Sequence, residues 1–264
     1  MTTNAHPGDI TTLVDQLTAL GGTMPAELQS TIDTIAAVNS WTSPQPTDIT
    51  GLVRRGELTA DNAGDVLDAA LHQPTITAGD LKVKAKAALV QRFAEQIAGP
   101  AGDEIIDSIR PAFTKSCKAI ADAALIVDHT VRADDLAEAD DKFIAAWRTI
   151  GEHRATLDQV DALTHTLTDR FEVLGTPQPW HGRNWLGAAL HTPDVARLDL
   201  VGRALSQPNG TGGPRGGKWH QIASALRLNT ISSARAILAE AHRDHREREA
   251  ADYAATHGTL AQAH

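Results

Sequence analysis

Two short stretches of the chain carry residue types that could bind phosphate or a metal ion. Gly212 to Lys218 matches the first seven positions of the phosphate-binding loop G-x-x-x-x-G-K, whose backbone amides and lysine hold phosphate groups. The eighth position requires Ser or Thr to hold Mg²⁺, but it is Trp219, and no strand pattern precedes the loop. The stretch is therefore interpreted as a Gly- and Pro-rich linker.

The second stretch has the spacing of a metal site. His242 and His245 lie three residues apart, and Glu249 follows one helical turn later. Residues 240–249 are polar on every helix face, which favours a solvated helix with interleaved opposite charges. The chain has a single cysteine, Cys117, which has no neighbouring histidine. With one cysteine, an intramolecular disulfide and a cysteine-rich zinc site are both excluded. The sequence predicts no metal site, no cofactor and no catalytic residue.

Residues 219–238 resemble the helix-turn-helix family of DNA-binding domains. The match rests on small and apolar positions around a polar turn at Asn229 and Thr230. These positions are Ile222, Ala223, Leu226, Leu228, Ala234, Ile237 and Leu238. The sequence departs from the family pattern where Arg227 replaces a glycine and where Ser233 stands at an apolar position.

The resemblance implies that the second helix lies in the major groove and reads base edges with its polar N-terminal residues. The residues at those positions are Thr230, Ser232, Ser233 and Arg235, and the phosphate contacts would come from Arg215, Lys218 and Arg227. An ordinary helical hairpin is the alternative for the same pattern.

The net charge of −9 over 264 residues is unevenly distributed. Residues 1–174 contain 14 Lys and Arg against 26 Asp and Glu, which gives −12, and residues 175–264 contain 10 against 7, which gives +3. Such asymmetry is compatible with a nucleic-acid-binding end, and equally with soluble acidic helices followed by an ordinary tail.

Apolar residues recur at three- and four-residue steps almost throughout, so the sequence predicts an all-α fold. One stripe, within 77–98, repeats every fourth residue from Leu81 to Ile97. Pro111 lies inside another helix and should kink it or mark its first turn. The predicted helices cover about 9–20, 25–39, 47–55, 59 or 61 to 72, 77–98, 103–129, 133–174, a short helix after Pro193, and 218–257.

The stretch 133–174 carries a heptad-like seam, which predicts a long helix with Gly151 as a hinge. Its packing partner would be the helix at 77–98, the helix at 103–129, or another subunit. Three tryptophans, Trp41, Trp180 and Trp185, lie in connectors, where they would anchor a partner or pin the connectors to their own domain. The predicted protein-interface positions are these three tryptophans and the seam residues Phe143, Ile150, Leu157, Val160, Leu167 and Phe171.

These patterns predict four parts: a short-helix subdomain (1–76), an acidic long-helix bundle (77–174), a Trp/Pro/Gly connector (175–217) and a C-terminal helical module (218–264). The predicted function is a non-enzymatic, DNA-associated protein whose bundle contacts other proteins. The alternative is a structural or assembly subunit of the phage-particle or scaffold type. No secretory signal and no membrane span are recognised, so the expected location is the cytoplasm or a phage-type particle.

Overall fold

The computed structural model describes residues 5–42, 48–71, 77–182, 184–207 and 217–258, and this part of the chain contains helices and no strand. The predicted all-α class is therefore confirmed. None of the described helices combines the length and the apolar character needed to cross a membrane. The α-helices are α1 (Pro7–Ala19), α2 (Ala26–Ser40), α3 (Ile49–Arg54), α4 (Ala63–Leu71), α5 (Ala78–Ile97), α6 (Pro100–Ala124), α7 (Asp141–Asp169), α8 (Trp185–His191), α9 (Leu198–Leu205), α10 (Lys218–Ile222) and α11 (Ile231–Gly258).

The long helices α6 and α7 pack along each other at the centre of the protein. The apolar side of α6 is buried from Ile105 through Phe113 to Ile120. α6 begins at Pro100, slightly earlier than predicted, because a proline at the first helical position lacks only an N–H that would be unpaired anyway. Pro111 lies inside α6 without ending it.

The predicted long helix at 133–174 is shorter in the structure. Residues Ala133–Glu138 form a separate 3₁₀ helix, and α7 then begins at Asp141 and ends at Asp169. The Asp140 carboxylate fixes this start because it accepts the Phe143 backbone N–H at 2.8 Å. α7 continues through Gly151 without a break, so the predicted hinge is not a helix boundary.

One cluster of buried apolar side chains extends from Ala5, just before α1, to Ala241 in α11. A smaller cluster joins the end of α6 to the start of α7 around Trp147. Because Trp219 and Ile105 belong to the same main cluster, the predicted boundaries at 174 and 217 do not separate two cores. The predicted boundary at 76 lies outside the described residues. The division into separately folding parts stays a prediction.

Residues 48–71, which contain α3 and α4 and are called the arm below, do not join this core. α3 and α4 pack on each other and at most marginally on the other described helices. None of the described side chains within 48–68 is buried. Helices of this length are marginal in water without a packing partner. The arm therefore has no hydrophobic core of its own.

α5 is buried at one end only. Phe93 and Ile97 in its second half are fully buried, whereas Leu81 and Val83 in its first half are 41% and 65% exposed. The predicted stripe of apolar residues thus reaches the core only in its second half. The first half of α5 packs on α2 and leaves apolar side chains in contact with water.

Candidate functional site

The first residues of the helix-turn-helix-like segment are held inside the protein by two carboxylates of α7. The Lys218 ammonium forms an ion pair with Asp161, and the Lys218 side chain is only 6% exposed. The Trp219 indole N–H donates to Asp158 Oδ1 at 2.6 Å. Asp158 and Asp161 are three residues apart on α7 and therefore share a face. This placement does not agree with a phosphate contact by Lys218, because its charge is already compensated.

The start of the predicted reading helix also faces a carboxylate. α11 begins at Ile231, and the Thr230 hydroxyl caps it by accepting the Ser233 backbone N–H at 3.2 Å. The Ser232 backbone N–H and hydroxyl donate to the two oxygens of Asp103 at 3.1 and 2.6 Å. A negative side chain thus occupies the helix end that would approach DNA, and it would repel a phosphate.

The predicted turn is a buried anchor. The Asn229 side-chain amide donates to the backbone oxygens of Ala189 and Thr192 at 2.8 and 2.5 Å. The Asn229 backbone N–H donates to the Leu190 oxygen at 2.9 Å. These bonds satisfy carbonyl groups at the C-terminal end of α8, where a helix leaves its last carbonyls unpaired. The turn therefore joins α11 to α8 in the core.

The three arginines predicted to contact DNA have different surroundings. The Arg235 guanidinium donates to the Val173 backbone oxygen at 3.0 Å from Nε and 2.6 Å from a terminal nitrogen. The Arg227 side chain is exposed. Arg215 lies outside the described residues. The structure therefore does not bring the predicted DNA contacts together on one free surface of the described chain.

Most of the predicted protein-interface positions on α7 and after it are core residues, which corrects that prediction. Their side chains are at most 2% exposed, since the seam packs against α6 and other helices of the same chain. This set is Ile150, Leu157, Val160, Leu167 and Phe171. Phe143 is half-buried against the smaller apolar cluster. The partner of the seam is thus within the chain, one of the alternatives that the sequence left open.

Trp180 contacts the last helix and pins the connector to it, and Trp185 contacts Trp180 and α9. The Trp180 ring stacks on His245 with centroids 4.3 Å apart, and it meets Trp185 edge-on at 5.6 Å. The Trp185 indole N–H donates to Asp199 at 2.6 Å. These rings are half-buried, and their contacts lie within the chain.

The same cluster contains a histidine pair with a defined tautomer. His181 Nδ1 accepts the Gln178 backbone N–H at 3.1 Å, so a neutral His181 carries its proton on Nε2. That Nε2 lies 3.1 Å from His242 Nε2 and donates to it. Burial, followed by the neighbouring His242 and His245, lowers the pKa of His181. A neutral His181 imidazole therefore holds α11 against the connector.

A second histidine, His191, is fully buried between α7 and α10. Its Nε2 lies 3.1 Å from the Thr164 hydroxyl, and its Nδ1 has no hydrogen-bond partner among the described residues. Burial lowers the pKa of His191 to about 4, and the nearby Lys218 acts in the same direction against Asp161. The group is thus a neutral core residue at physiological pH.

The described residues include no assembled metal site. Burial raises the pKa of Cys117 to about 12, so its thiol is not available as a thiolate. Within the described ranges, no group of three or more His, Cys, Asp or Glu side chains is arranged to hold a metal ion. His245 contacts Glu249 at 3.4 Å, and this pair lies on one helix face in partial contact with solvent.

An exposed apolar surface surrounds the first half of α5. It is formed by Trp41, Leu81 and Val83 together with three lysines, Lys82, Lys84 and Lys86, and it is called the α5 face below. Lys82 donates to the Asn39 backbone oxygen at 2.9 Å, and its ammonium lies 5.9 Å from the centre of the Trp41 ring. Trp41, a predicted interface residue, is 42% exposed.

Two cavities flank the α5 face. One has a volume of about 230 Å³ and lies between α2 and α5, lined by Val38, Trp41, Leu81, Lys82 and Ala85. The other has a volume of about 470 Å³ and lies between α5 and the residues before α1, with Val83 and Lys86 on its wall. The side chains of the first are mainly apolar, which suits insertion of an apolar side chain from a partner.

Sequence reasoning assigned Leu81 to a buried stripe and missed the α5 face. A signal was present, because the run Lys82-Val-Lys-Ala-Lys86 places three lysines within one and a half helical turns. A helix surface so basic is unusual in a segment whose overall charge is −12. It could have been recognised as a surface with its own electrostatic character.

Comparison with known proteins adds no relative. No protein-family model, no curated protein and no solved structure matches this chain.

Proposed function

We propose that this protein is a non-enzymatic assembly subunit that associates with protein through the α5 face. The observation that carries the proposal is the exposure of Trp41 and Leu81 together beside an apolar-lined cavity on one side of α5, with Val83 exposed at a second cavity on the opposite side of the same helix. Contiguous exposed apolar side chains with a charged rim are typical of protein interfaces. The proposed location is the cytoplasm or an assembled phage-type particle.

The chemistry of the α5 face fits such a role. Tryptophan at a groove edge supplies a large contact area, and long lysine side chains cover apolar surface while their charges stay in water. Fully burying a leucine contributes about 1.5–3 kcal/mol, and because Leu81 is 41% exposed, covering the rest of it would contribute about 0.6–1.2 kcal/mol, or about three- to eightfold in affinity.

The test is the mass of the purified protein as a function of concentration, measured by light scattering coupled to size-exclusion chromatography. We expect the unmodified protein to form a larger species as the concentration rises. Leu81→Asp should shift this transition to at least about tenfold higher concentration, because it places a charge in the apolar contact. The unmodified protein remaining monomeric throughout would overturn the proposal.

Leu200→Asp is the matched control. Leu200 is 51% exposed on α9, outside the α5 face, so the same substitution there should leave association unchanged. Circular dichroism of both variants checks that the helices remain folded. Equal loss of association in the two variants would assign the effect to surface charge in general.

DNA association stays a prediction and takes second place. The exposed Arg227 is the observation that favours it, whereas Lys218 and Arg235 make contacts within the chain. Salt-dependent binding of the whole protein to duplex DNA, weakened by Arg227→Ala, would support it. Binding that is absent even at low salt would count against it.

A further inference from the structure

We infer that the occupant of the α5 face is the arm of a second copy of this chain. This inference rests on the proposed function and specifies the partner in it. The arm, residues 48–71, then gains the hydrophobic contacts that it lacks within its own chain. The exposed first half of α5 gains a cover.

The arm has the composition of a segment that needs a partner. It carries apolar side chains at positions such as Val53 and Leu67, which are exposed, but none of the described side chains within 48–68 is buried. α3 has six residues and α4 has nine, well below the roughly 12–15 residues at which an isolated helix is stable in water. Docking on an apolar surface supplies the missing packing free energy.

The charges of the two surfaces are opposite and equal. The arm contains two arginines and five acidic residues, which gives −3, and residues 78–92 of α5 contain four basic residues and one acidic residue, which gives +3. Asp61 and Asp65 lie at the start of α4 and are exposed, as is Lys84 on α5. Complementary potentials of this kind orient two surfaces and suppress wrong partners.

The dimensions also agree. α4 spans about 13 Å at 1.5 Å per residue, and the exposed first half of α5 spans about 15 Å. An amphipathic helix placed along a groove inserts side chains from one face into pockets of the receptor. The cavity beside Trp41, of about 230 Å³, has room for an apolar side chain such as Leu67.

The structure indicates why the arm comes from another copy. Leu81 and Val83 are exposed although the arm of the same chain is present. Within the described residues, α3 and α4 pack mainly on each other. The arm of the same chain therefore leaves the α5 face open. An exchange of arms between copies covers both surfaces at once.

The test is a charge-reversal complementation. One variant reverses the face, Lys84→Glu with Lys86→Glu, and the other reverses the arm, Asp61→Lys with Asp65→Lys. Each variant alone should associate at least about tenfold more weakly than the unmodified protein, because like charges then meet. An equimolar mixture should regain association, since the acidic arm of the first variant meets the unmodified basic face of the second, and the basic arm of the second meets the acidic face of the first.

The control reverses two lysines elsewhere, Lys115→Glu with Lys142→Glu, which changes the net charge by the same amount. It should associate like the unmodified protein. Association that persists in the single-surface variants, or a mixture that stays monomeric, overturns the inference. A mixture without rescue, combined with loss of association in Leu81→Asp, means that the α5 face binds a different segment and leaves the proposed function standing. An unmodified protein that never associates overturns both.

A chain that carries all four substitutions separates exchange from closure within one molecule. Exchange predicts that this chain self-associates and that the mixture of the two single-surface variants also does. If the arm instead closes on α5 of its own chain, every variant and mixture should be monomeric. The arm should then be protected from proteolysis only in the unmodified chain and in the chain with all four substitutions, where the arm and the α5 face carry opposite charges. The latter pattern would contradict exchange between copies.

Discussion

The segment after Gly217 and the first half of α5 show opposite relations between sequence character and burial. The first segment is polar and basic at its start, yet Lys218, Trp219 and Asn229 are buried and bonded to other parts of the chain. The first half of α5 follows an apolar stripe, yet Leu81 and Val83 are exposed. The difference shows that polar side chains are buried in this core where a hydrogen-bond or ion-pair partner is present. Apolar side chains stay exposed where no apolar surface of the chain packs on them.

Removing Lys218 should give the largest effect on folding. Lys218→Ala removes a buried side chain and leaves the carboxylate of Asp161, which is 29% exposed, without its cation, so we expect a loss of about 3 kcal/mol in the free energy of unfolding, measured with urea. Lys118→Ala, at an exposed pair with Asp122, should change the stability by less than about 1 kcal/mol. Equal losses at both positions would contradict the burial of the Lys218 pair.

His191 should make the stability depend on pH. Its pKa is about 4 in the folded protein and about 6.5 when unfolded, so the unfolded state binds more protons as the pH falls between these values. The stability is then lost on acidification through this range, by up to about 3 kcal/mol, and it changes no further from this group below about pH 4.

The measurement is urea unfolding at several pH values within that range for the unmodified protein and for His191→Leu. We expect the variant to lose less stability on acidification, because it removes a group that resists protonation in the core. Parallel pH profiles would show that His191 does not contribute.

The buried turn should have an intermediate effect. Asn229→Ala removes the amide that satisfies the backbone oxygens of Ala189 and Thr192, and an unsatisfied buried acceptor costs about 1–3 kcal/mol. Thermal and urea unfolding should both show the loss. Ser224→Ala, at an exposed position in the preceding turn, is the control and should be nearly neutral.

The smallest effect on folding is expected on the α5 face. Val83→Ser should change the free energy of unfolding of the monomer by less than about 0.5 kcal/mol, because Val83 is exposed. It should nevertheless weaken self-association. Val90→Ser, seven residues later on the same side of α5 but in its buried half, should cost about 2 kcal/mol or more through the lost apolar contact and the buried hydroxyl. Similar stability losses at both positions would remove the distinction between the two halves of the helix.

Local patterns in the sequence were sufficient for the helices and for much of the core. The predicted positions of α1, α2 and α5 agree with the structure within a few residues, whereas the predicted helix at 218–257 is divided into α10, a 3₁₀ turn and α11. The start of α7 was predicted too early, since 133–138 has the acidic and apolar residues of a helix but forms a 3₁₀ turn ended by the Asp140 cap. Short-range capping decided that boundary.

The site was less accessible to sequence reasoning because exposure depends on residues far apart in the chain. The interpretation of Lys218 required Asp161, which lies 57 residues earlier. The interpretation of Ser232 required Asp103, which lies 129 residues earlier. Neither pairing leaves a local pattern, since any surface carboxylate on a distant helix has the same sequence context.

Helix period, capping residues and charge are local properties, so the amino-acid pattern alone predicts a helical chain that is acidic in its first two thirds and carries apolar stripes. Which of these stripes pack inside the chain depends on the tertiary structure. It placed the seam of α7 against α6, and it drew the basic start of α10 onto two carboxylates. It left the first half of α5 and the arm uncovered, because burial is a property of pairs of surfaces and a stripe alone does not specify its partner.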